Sequence, residues 1–319
     1  MSESRPRAIF FGTPAFAVPC LEALCEVAEV VLVVCQPDRP SGRGLKLTPP
    51  PVKQAALARG LAVLQPKKVR TEKFAERLRE AGADAAVVVA YGRILPVSVL
   101  TAPRLGCVNV HASLLPKLRG AAPIQWAIVR GDRQAGVCLM QMDEGMDTGP
   151  ELSRRQLEIG PEETAGELSE RLARLGGQLI TEDLPKFFRG ELSPKAQDHD
   201  AATLAPMLRK EDGLVDFSRA AQEVHDLVRG MAPWPGAYCF LGGKRVKLHR
   251  TRVVSHAAQT QPPGTVLRAD RHGVDVACGE GVVGLTELQP EGRKRQAAGQ
   301  FVAGHRLQVG SRFDSTDDA

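Results

Sequence analysis

Aromatic side chains are scarce. They make up 4% of the 319 residues, so aliphatic groups must fill most of any core. No apolar run approaches the ~20 residues that a membrane-spanning helix needs. The longest runs, such as Val30–Cys35 and Ala85–Ala90, have the length of strands. Met1–Arg7 is polar and charged and leads into no apolar signal core with a cleavage site, so a cytoplasmic protein is expected. The seven cysteines, at 20, 25, 35, 107, 138, 239 and 278, form no CxxC pair, and several lie inside apolar runs. They read as reduced core residues, neither a disulfide frame nor a zinc site. The first strand-to-helix turn, Phe10-Phe11-Gly12-Thr13-Pro14-Ala15-Phe16, has one glycine where a dinucleotide fold needs three. No Gly-rich GK[ST] loop and no HExxH spacing occur, which argues against nicotinamide, flavin, nucleotide triphosphatase and metal-hydrolase chemistry. Neither sign of charge dominates. Lys and Arg total 42 and Asp and Glu 37, and the formal +5 permits an anionic partner without demanding one.

What is present suits a soluble chain of two domains. Hydrophobic residues are 43% and charged ones 25%, enough for a packed core. The first two-thirds alternates short apolar runs with helical stretches. Strands are expected at 8–12, 30–35, 61–64, 85–90, 106–112 and 137–142, and helices at 14–25 and 72–81. Thr13 is expected to cap the first helix, with Pro14 in its first turn. This βαβα order predicts a Rossmann-like, doubly wound, mostly parallel sheet. Residues 163–189 read as one helix, with Leu168, Leu172, Leu175 and Leu179 on one stripe. Residues 190–206 have no clear period and read as a linker. After a helix near 220–231, short strand-like pieces separated by Gly, Pro, Asp and His predict a small C-terminal β-barrel of OB-like type over 207–319.

Two stretches carry chemistry. Alternation along 106–112 puts Asn109 and His111 on one face with Ser113, and Val108, Val110 and Ala112 on the other. Polar groups in a buried parallel sheet are costly unless they meet polar partners. They also lie at the carboxyl end of a strand, where open α/β sheets build their sites. The second stretch, Met140-Gln141-Met142-Asp143-Glu144-Gly145-Met146-Asp147-Thr148-Gly149-Pro150, is dense in carboxylates and glycine. A hairpin turn with solvated acids suits Asp143 and Glu144 well and the following Asp147-Thr148-Gly149 less well, and a tight loop with Asp147 near its end could present a carboxylate toward His111.

Asn109-Val110-His111 with Ser113-Leu114-Leu115-Pro116 and Arg119-Gly120-Ala121-Ala122-Pro123-Ile124 resembles the signature of the folate-dependent formyltransferases. Asp147 in Met146-Asp147-Thr148-Gly149 matches that family's catalytic aspartate. The turn Phe10–Pro14, the basic loop Gln36–Lys46, Pro233–Ala237 and Gly304–Leu307 resemble the branch of the family that acts on a tRNA. The resemblance covers nearly the whole chain. Cys138 departs from it, standing where a hydroxyl residue is common.

The resemblance implies a catalytic formyltransferase domain over 1–189 and a tRNA-binding domain over 207–319. It implies transfer of a formyl group from 10-formyltetrahydrofolate to the α-amine of initiator methionyl-tRNA for translation initiation, without metal or covalent enzyme intermediate. Asn109 and His111 would donate hydrogen bonds to the formyl oxygen, and Asp147 would hold His111 and help relay protons. Ser113, Leu114, Leu115 and Pro116 would line the folate site, with 91–96 as a second wall. Arg39, Arg43 and Lys46 in the glycine-containing loop, with Arg43 central, would meet the tRNA. So would Lys244, Arg245, Lys247, Arg293, Lys294 and Arg295 in the second domain, chiefly through phosphates. A monomer is expected. A related folate-dependent formyltransferase acting on a small-molecule amine would need the same three residues but leaves the loop and the second domain without a role. An RNA-binding protein with a vestigial site predicts binding without turnover, which the intact Asn109, His111 and Asp147 argue against.

Overall fold

The computed structural model describes residues 5–41 and 46–316. Its residues gather into two compact units. The first comprises residues 1–123, 135–157 and 169–206 and the second residues 124–134, 158–168 and 207–319.

Seven strands form the sheet of the first unit, in the order Glu151–Glu158, Gln134–Gln141, Cys107–His111, Ala85–Val89, Arg7–Gly12, Glu29–Val34 and Val63–Leu64. The strands from Cys107–His111 to Val63–Leu64 run parallel. Their central members are buried almost end to end, as a sheet covered on both faces requires. The chain winds from Arg7–Gly12 to one side through Glu29–Val34 and to the other through Ala85–Val89. The switch point therefore lies beyond Gly12 and Val89, where such sheets bind ligands. Side chains knit the strand ends there. The Thr13 hydroxyl and the Gln36 amide both donate to the Tyr91 carbonyl, at 3.1 and 2.9 Å.

Thr13 is thus not a helix cap, contrary to the sequence expectation. The helix starts later, at Val18–Val27, after a single tight turn over Ala15–Ala17. A second difference lies at the sheet's far edge. Gln134–Gln141 runs antiparallel to Cys107–His111, and Glu151–Glu158 adds an outer strand that the sequence pattern did not suggest. That strand's later residues alternate between half-buried and exposed, so it lacks the apolar run of its neighbours. The long helix spans Ala165–Phe188 without a break. At Gly176 it lies so close to the sheet that an added Cβ would sit 3.0 Å from Cys20 and 3.3 Å from Val110. The Val110 face is therefore covered by helix, and Asn109 and His111 face the other way.

Residues 190–206, expected as an unpatterned linker, are tied down. Lys195 exchanges two backbone hydrogen bonds with Glu151, and Leu204–Ala205 pairs in parallel with Arg119–Gly120. The segment has no hydrophobic period because its order comes from backbone bonds to its neighbours.

In the second unit the strands Val266–Asp270, Gly273–Ala277, Val282–Pro290, Lys244–Ser255 and Ala237–Leu241 follow one another in an antiparallel sheet. Phe313–Asp314 adds to the last of these, and the neighbouring Arg312 bridges to Thr265 next to the first strand. The sheet thus curls until its two edges meet. Helices Ala221–Gly230 and Ala298–His305 pack on it, the second not anticipated from sequence.

Three of the first unit's few aromatics meet in one cluster. Phe11 is fully buried and makes edge-on contacts with Phe74 and Tyr91, at centroid distances of 6.4 and 5.3 Å. Phe11→Ala is expected to cost about 3–5 kcal/mol, read as a lower urea midpoint for the first unit. A loss below about 1 kcal/mol would contradict this packing.

Candidate active site

Asn109 and His111 sit on the strand between Ala85–Val89 and Gln134–Gln141, and both are buried despite their polarity. The His111 ring is held from two sides. Its Nε2 lies 3.1 Å from the Leu118 carbonyl, which can only accept, so Nε2 carries a hydrogen. Its Nδ1 lies 3.6 Å from Asp147 Oδ1. That is too long for a direct hydrogen bond but close for an ion pair. A proton arriving at Nδ1 would find a carboxylate beside it.

Asp147 is placed by backbone constraints. Its φ of +56° is unusual for a residue with a side chain. Its Oδ2 accepts the Gly120 N–H at 2.8 Å, which leaves Oδ1 for His111. The loop joins two neighbouring strands and folds on itself, with Asp143 Oδ1 accepting from the Gly145 N–H at 3.0 Å and the Thr148 hydroxyl at 2.7 Å. Asp143 and Glu144 are exposed, as a solvated turn predicts. At Gly149 an added Cβ would fall 1.9 Å from the Gln141 carbonyl oxygen, so only glycine fits.

Three further residues surround this pair. Arg119 donates to Gln197 Oε1 through Nε at 3.1 Å and Nη2 at 2.7 Å. Gln197 Nε2 in turn donates to the carbonyls of Asp147 and Gly149, at 2.9 and 2.7 Å. Thr203 accepts the Leu118 N–H on its hydroxyl at 2.9 Å and the Arg119 N–H on its carbonyl at 2.8 Å. Sequence reading missed all three as site residues. Arg119 lay inside a quoted motif, while Gln197 and Thr203 lie in the segment read as a linker.

The stretch after His111 turns partly inward. The Ser113 hydroxyl donates to the Lys117 carbonyl at 2.7 Å and closes a turn. Leu115 is buried with Cys138 and Met140, whereas Leu114 and Pro116 keep some exposed surface. At Glu144 the loop that carries Asp147 borders an open cavity of about 470 Å³, lined also by Arg70, Thr71, Ile94, Leu95 and Pro96 among others. Ile94 is 69% exposed, a large apolar side chain left facing solvent. Tyr91 sits behind this wall. Burial pushes its phenol up to about 12, and its hydroxyl has no hydrogen-bond partner.

Most basic residues singled out from sequence are placed, several already engaged. Arg39 is exposed but donates to Gln36 Oε1 at 2.6 Å. Its short strand, Arg39–Ser41, pairs antiparallel with Lys46–Thr48. Arg43 and the Lys46 side chain lie outside the described residues. Lys53 pairs with Asp38 at 2.8 Å and holds that carboxyl below its usual range. In the second unit Lys244 and Lys247 are exposed, while Val246 and Leu248 between and beyond them point inward. The Arg245 guanidinium stacks 3.6 Å from the centroid of the Tyr238 ring. Arg293 and Lys294 are exposed, and Arg295 is bonded to Glu287. Arg250 is held by Glu167 at 2.8 Å. Among the described residues no cluster of His, Cys, Asp and Glu could hold a metal ion. Nor is any described helix long and apolar enough to cross a membrane.

Comparison with known proteins places the chain in one group. Residues 7–184 fit the family model described as formyl transferase, and residues 207–306 the model described as formyl transferase, C-terminal domain. The methionyl-tRNA formyltransferase of Sorangium cellulosum is 56% identical over 305 residues, covering 95% of this chain and 98% of that protein. The enzyme of the same name from Myxococcus xanthus is 51% identical, covering 97% and 98%. Among solved structures, WlaRD, a sugar 3N-formyl transferase, shares the fold with a TM-score of 0.66 at 13% identity, covering 91% of this chain and all of that one. HypX from Aquifex aeolicus gives 0.62 at 19% identity, and this chain spans 48% of its length.

Gly149→Ala is expected to cost about 1–3 kcal/mol through the clash with Gln141. A thermal melt indistinguishable from the parent protein would show that the loop is looser than described.

Proposed function

The chain belongs to the formyl transferase family through both of its domains, and from that premise we propose that it formylates the α-amine of methionyl-tRNA. The donor is 10-formyltetrahydrofolate, and the products are tetrahydrofolate and N-formylmethionyl-tRNA for translation initiation. The observation that carries the reading is the buried His111 with the partly exposed Asp147 beside it and the buried Asn109 on the same strand, at the carboxyl end of the sheet.

The donor supplies an electrophilic formyl carbon and a leaving nitrogen. The residues supply the rest. As the amine attacks, negative charge grows on the formyl oxygen. The Asn109 amide N–H and a protonated His111 Nδ1 are the donors proposed to meet it, each such donor being worth about 10²–10³ in rate. The attacking nitrogen must lose a proton and the leaving nitrogen must gain one. The proposed order is that His111 Nδ1, its charge steadied by Asp147, gives its proton to the leaving nitrogen and is then refilled by the proton the attacking nitrogen loses, so the ring ends as it began. Because Nε2 is committed to the Leu118 carbonyl, only Nδ1 is open to this traffic.

Observations on the chain support a folate. The cavity beside the Met142–Pro150 loop has an apolar wall at Ile94, Leu95 and Pro96, suited to a flat aromatic group, and Arg70 suited to a carboxylate. Leu114 and Pro116 are the parts of the 113–116 stretch with surface left to offer. The catalytic role is assigned to the domain over 1–189, joined through 190–206 to a tRNA-binding domain over 207–319. There Lys244, Lys247, Arg293 and Lys294 are exposed for phosphates, and Arg245 stands on its aromatic platform. Arg39 and Lys46 of the 36–46 loop, with Arg43, are the proposed contacts of the first domain.

The test is purified protein with 10-formyltetrahydrofolate and charged initiator tRNA. Formyl-methionine on the tRNA is expected, with a rate that falls steeply as salt rises. Product on a small amine instead, and none on tRNA, would overturn the reading. Arg70→Ala is expected to raise KM for the folate about tenfold, the loss of one charge-assisted contact, while KM for tRNA holds. The reverse pattern would mean that the cavity serves the tRNA.

A further inference from the structure

We infer that Gln197 is a positioning residue for the reaction, acting through Asp147, an inference that rests on the function proposed above. Gln197 is buried, although it lies between the long helix and Leu204–Ala205, where the chain forms no helix or strand. Its orientation is forced. The Arg119 guanidinium has only donors, so the side-chain carbonyl of Gln197 must face it, and it accepts both Nε and Nη2. The amide nitrogen is thereby aimed at two main-chain oxygens, those of Asp147 and Gly149.

The first carbonyl belongs to the residue with the left-handed backbone, Asp147, and the second lies two residues further on. Such a conformation persists only where surrounding contacts over-determine it. The Gly120 N–H holds the carboxylate and Gln197 holds the peptide planes behind it, so the two anchors act on different parts of the same residue. Both anchors start from one short strand, because Arg119 and Gly120 are neighbours. That strand is itself fastened to Thr203 and Ala205 of the same segment that carries Gln197. The Arg119–Gln197 clamp thus sets the distance between Asp147 and His111. A gap of 3.6 Å is already at the edge of useful pairing, so a small outward shift would uncouple the two groups. Displacements of this size cost about 10²-fold in rate.

Gln197→Glu isolates the claim, because it keeps size and keeps a partner for Arg119 but turns a carboxylate oxygen toward two carbonyls. Steady-state formyl transfer to methionyl-tRNA is expected to lose about 10²-fold in kcat, with KM for both substrates held. Added to Asp147→Ala, the same change is expected to cost nothing more. Wild-type kcat in Gln197→Glu, or a full further loss on the Asp147→Ala background, would overturn the inference. If the Gln197→Glu protein does not fold, Arg119→Lys replaces it. That change keeps the charge and removes the two-pronged donor, and it is expected to show the same loss and the same absence of a further effect. Failure of the unaltered chain to formylate methionyl-tRNA would overturn both this inference and the function it rests on.

Discussion

One buried imidazole, caught between a main-chain carbonyl and a carboxylate, organises the first unit. The Leu118 carbonyl takes the hydrogen on Nε2, and Asp147 waits beside Nδ1. A ring fixed in this way can exchange a proton only at one atom. The surrounding structure serves that arrangement. The strand carrying His111 lies between a parallel and an antiparallel neighbour, and the helix packed at Gly176 closes the opposite face. The loop carrying Asp147 is set by a glycine that tolerates no side chain and by bonds from Gly120 and Gln197.

Most of this scaffold is built from backbone groups, which explains how a loop can hold the Asp147 carboxylate still. Leu118 offers its carbonyl and Gly120 its N–H, and the two are separated by the single residue Arg119. The same three residues therefore grip both members of the pair. The segment 195–205 runs alongside and fastens them in turn. What would otherwise be a connecting stretch is part of the wall of the site.

How much of this the sequence disclosed follows from which forces set each part. Asn109 and His111 were legible because strand alternation placed two polar groups on a buried face, an expensive choice that needs a reason. Asp147 was legible because a solvated turn explained Asp143 and Glu144 but not a third acidic residue so close by. The parallel strands were legible as apolar runs. The antiparallel edge was not, because Glu151–Glu158 is half solvated and its pairing is set by a hairpin. Gln197 and Thr203 were invisible because hydrogen bonds across 50 to 85 residues leave no local period. The basic residues were legible as clusters, yet only the structure shows which are committed. Arg39 and Arg295 have partners within their own units, whereas Lys244, Lys247, Arg293 and Lys294 are exposed.

The central claim is that His111 and Asp147 act as one unit rather than as two independent contributors. A double-mutant cycle with His111→Asn and Asp147→Asn, read as the single-turnover rate of formyl transfer to methionyl-tRNA, tests it most directly. The account predicts that each change alone removes most of the rate and that the double variant is about as slow as the slower single one. Losses that multiply, as they do for residues working apart, would contradict it.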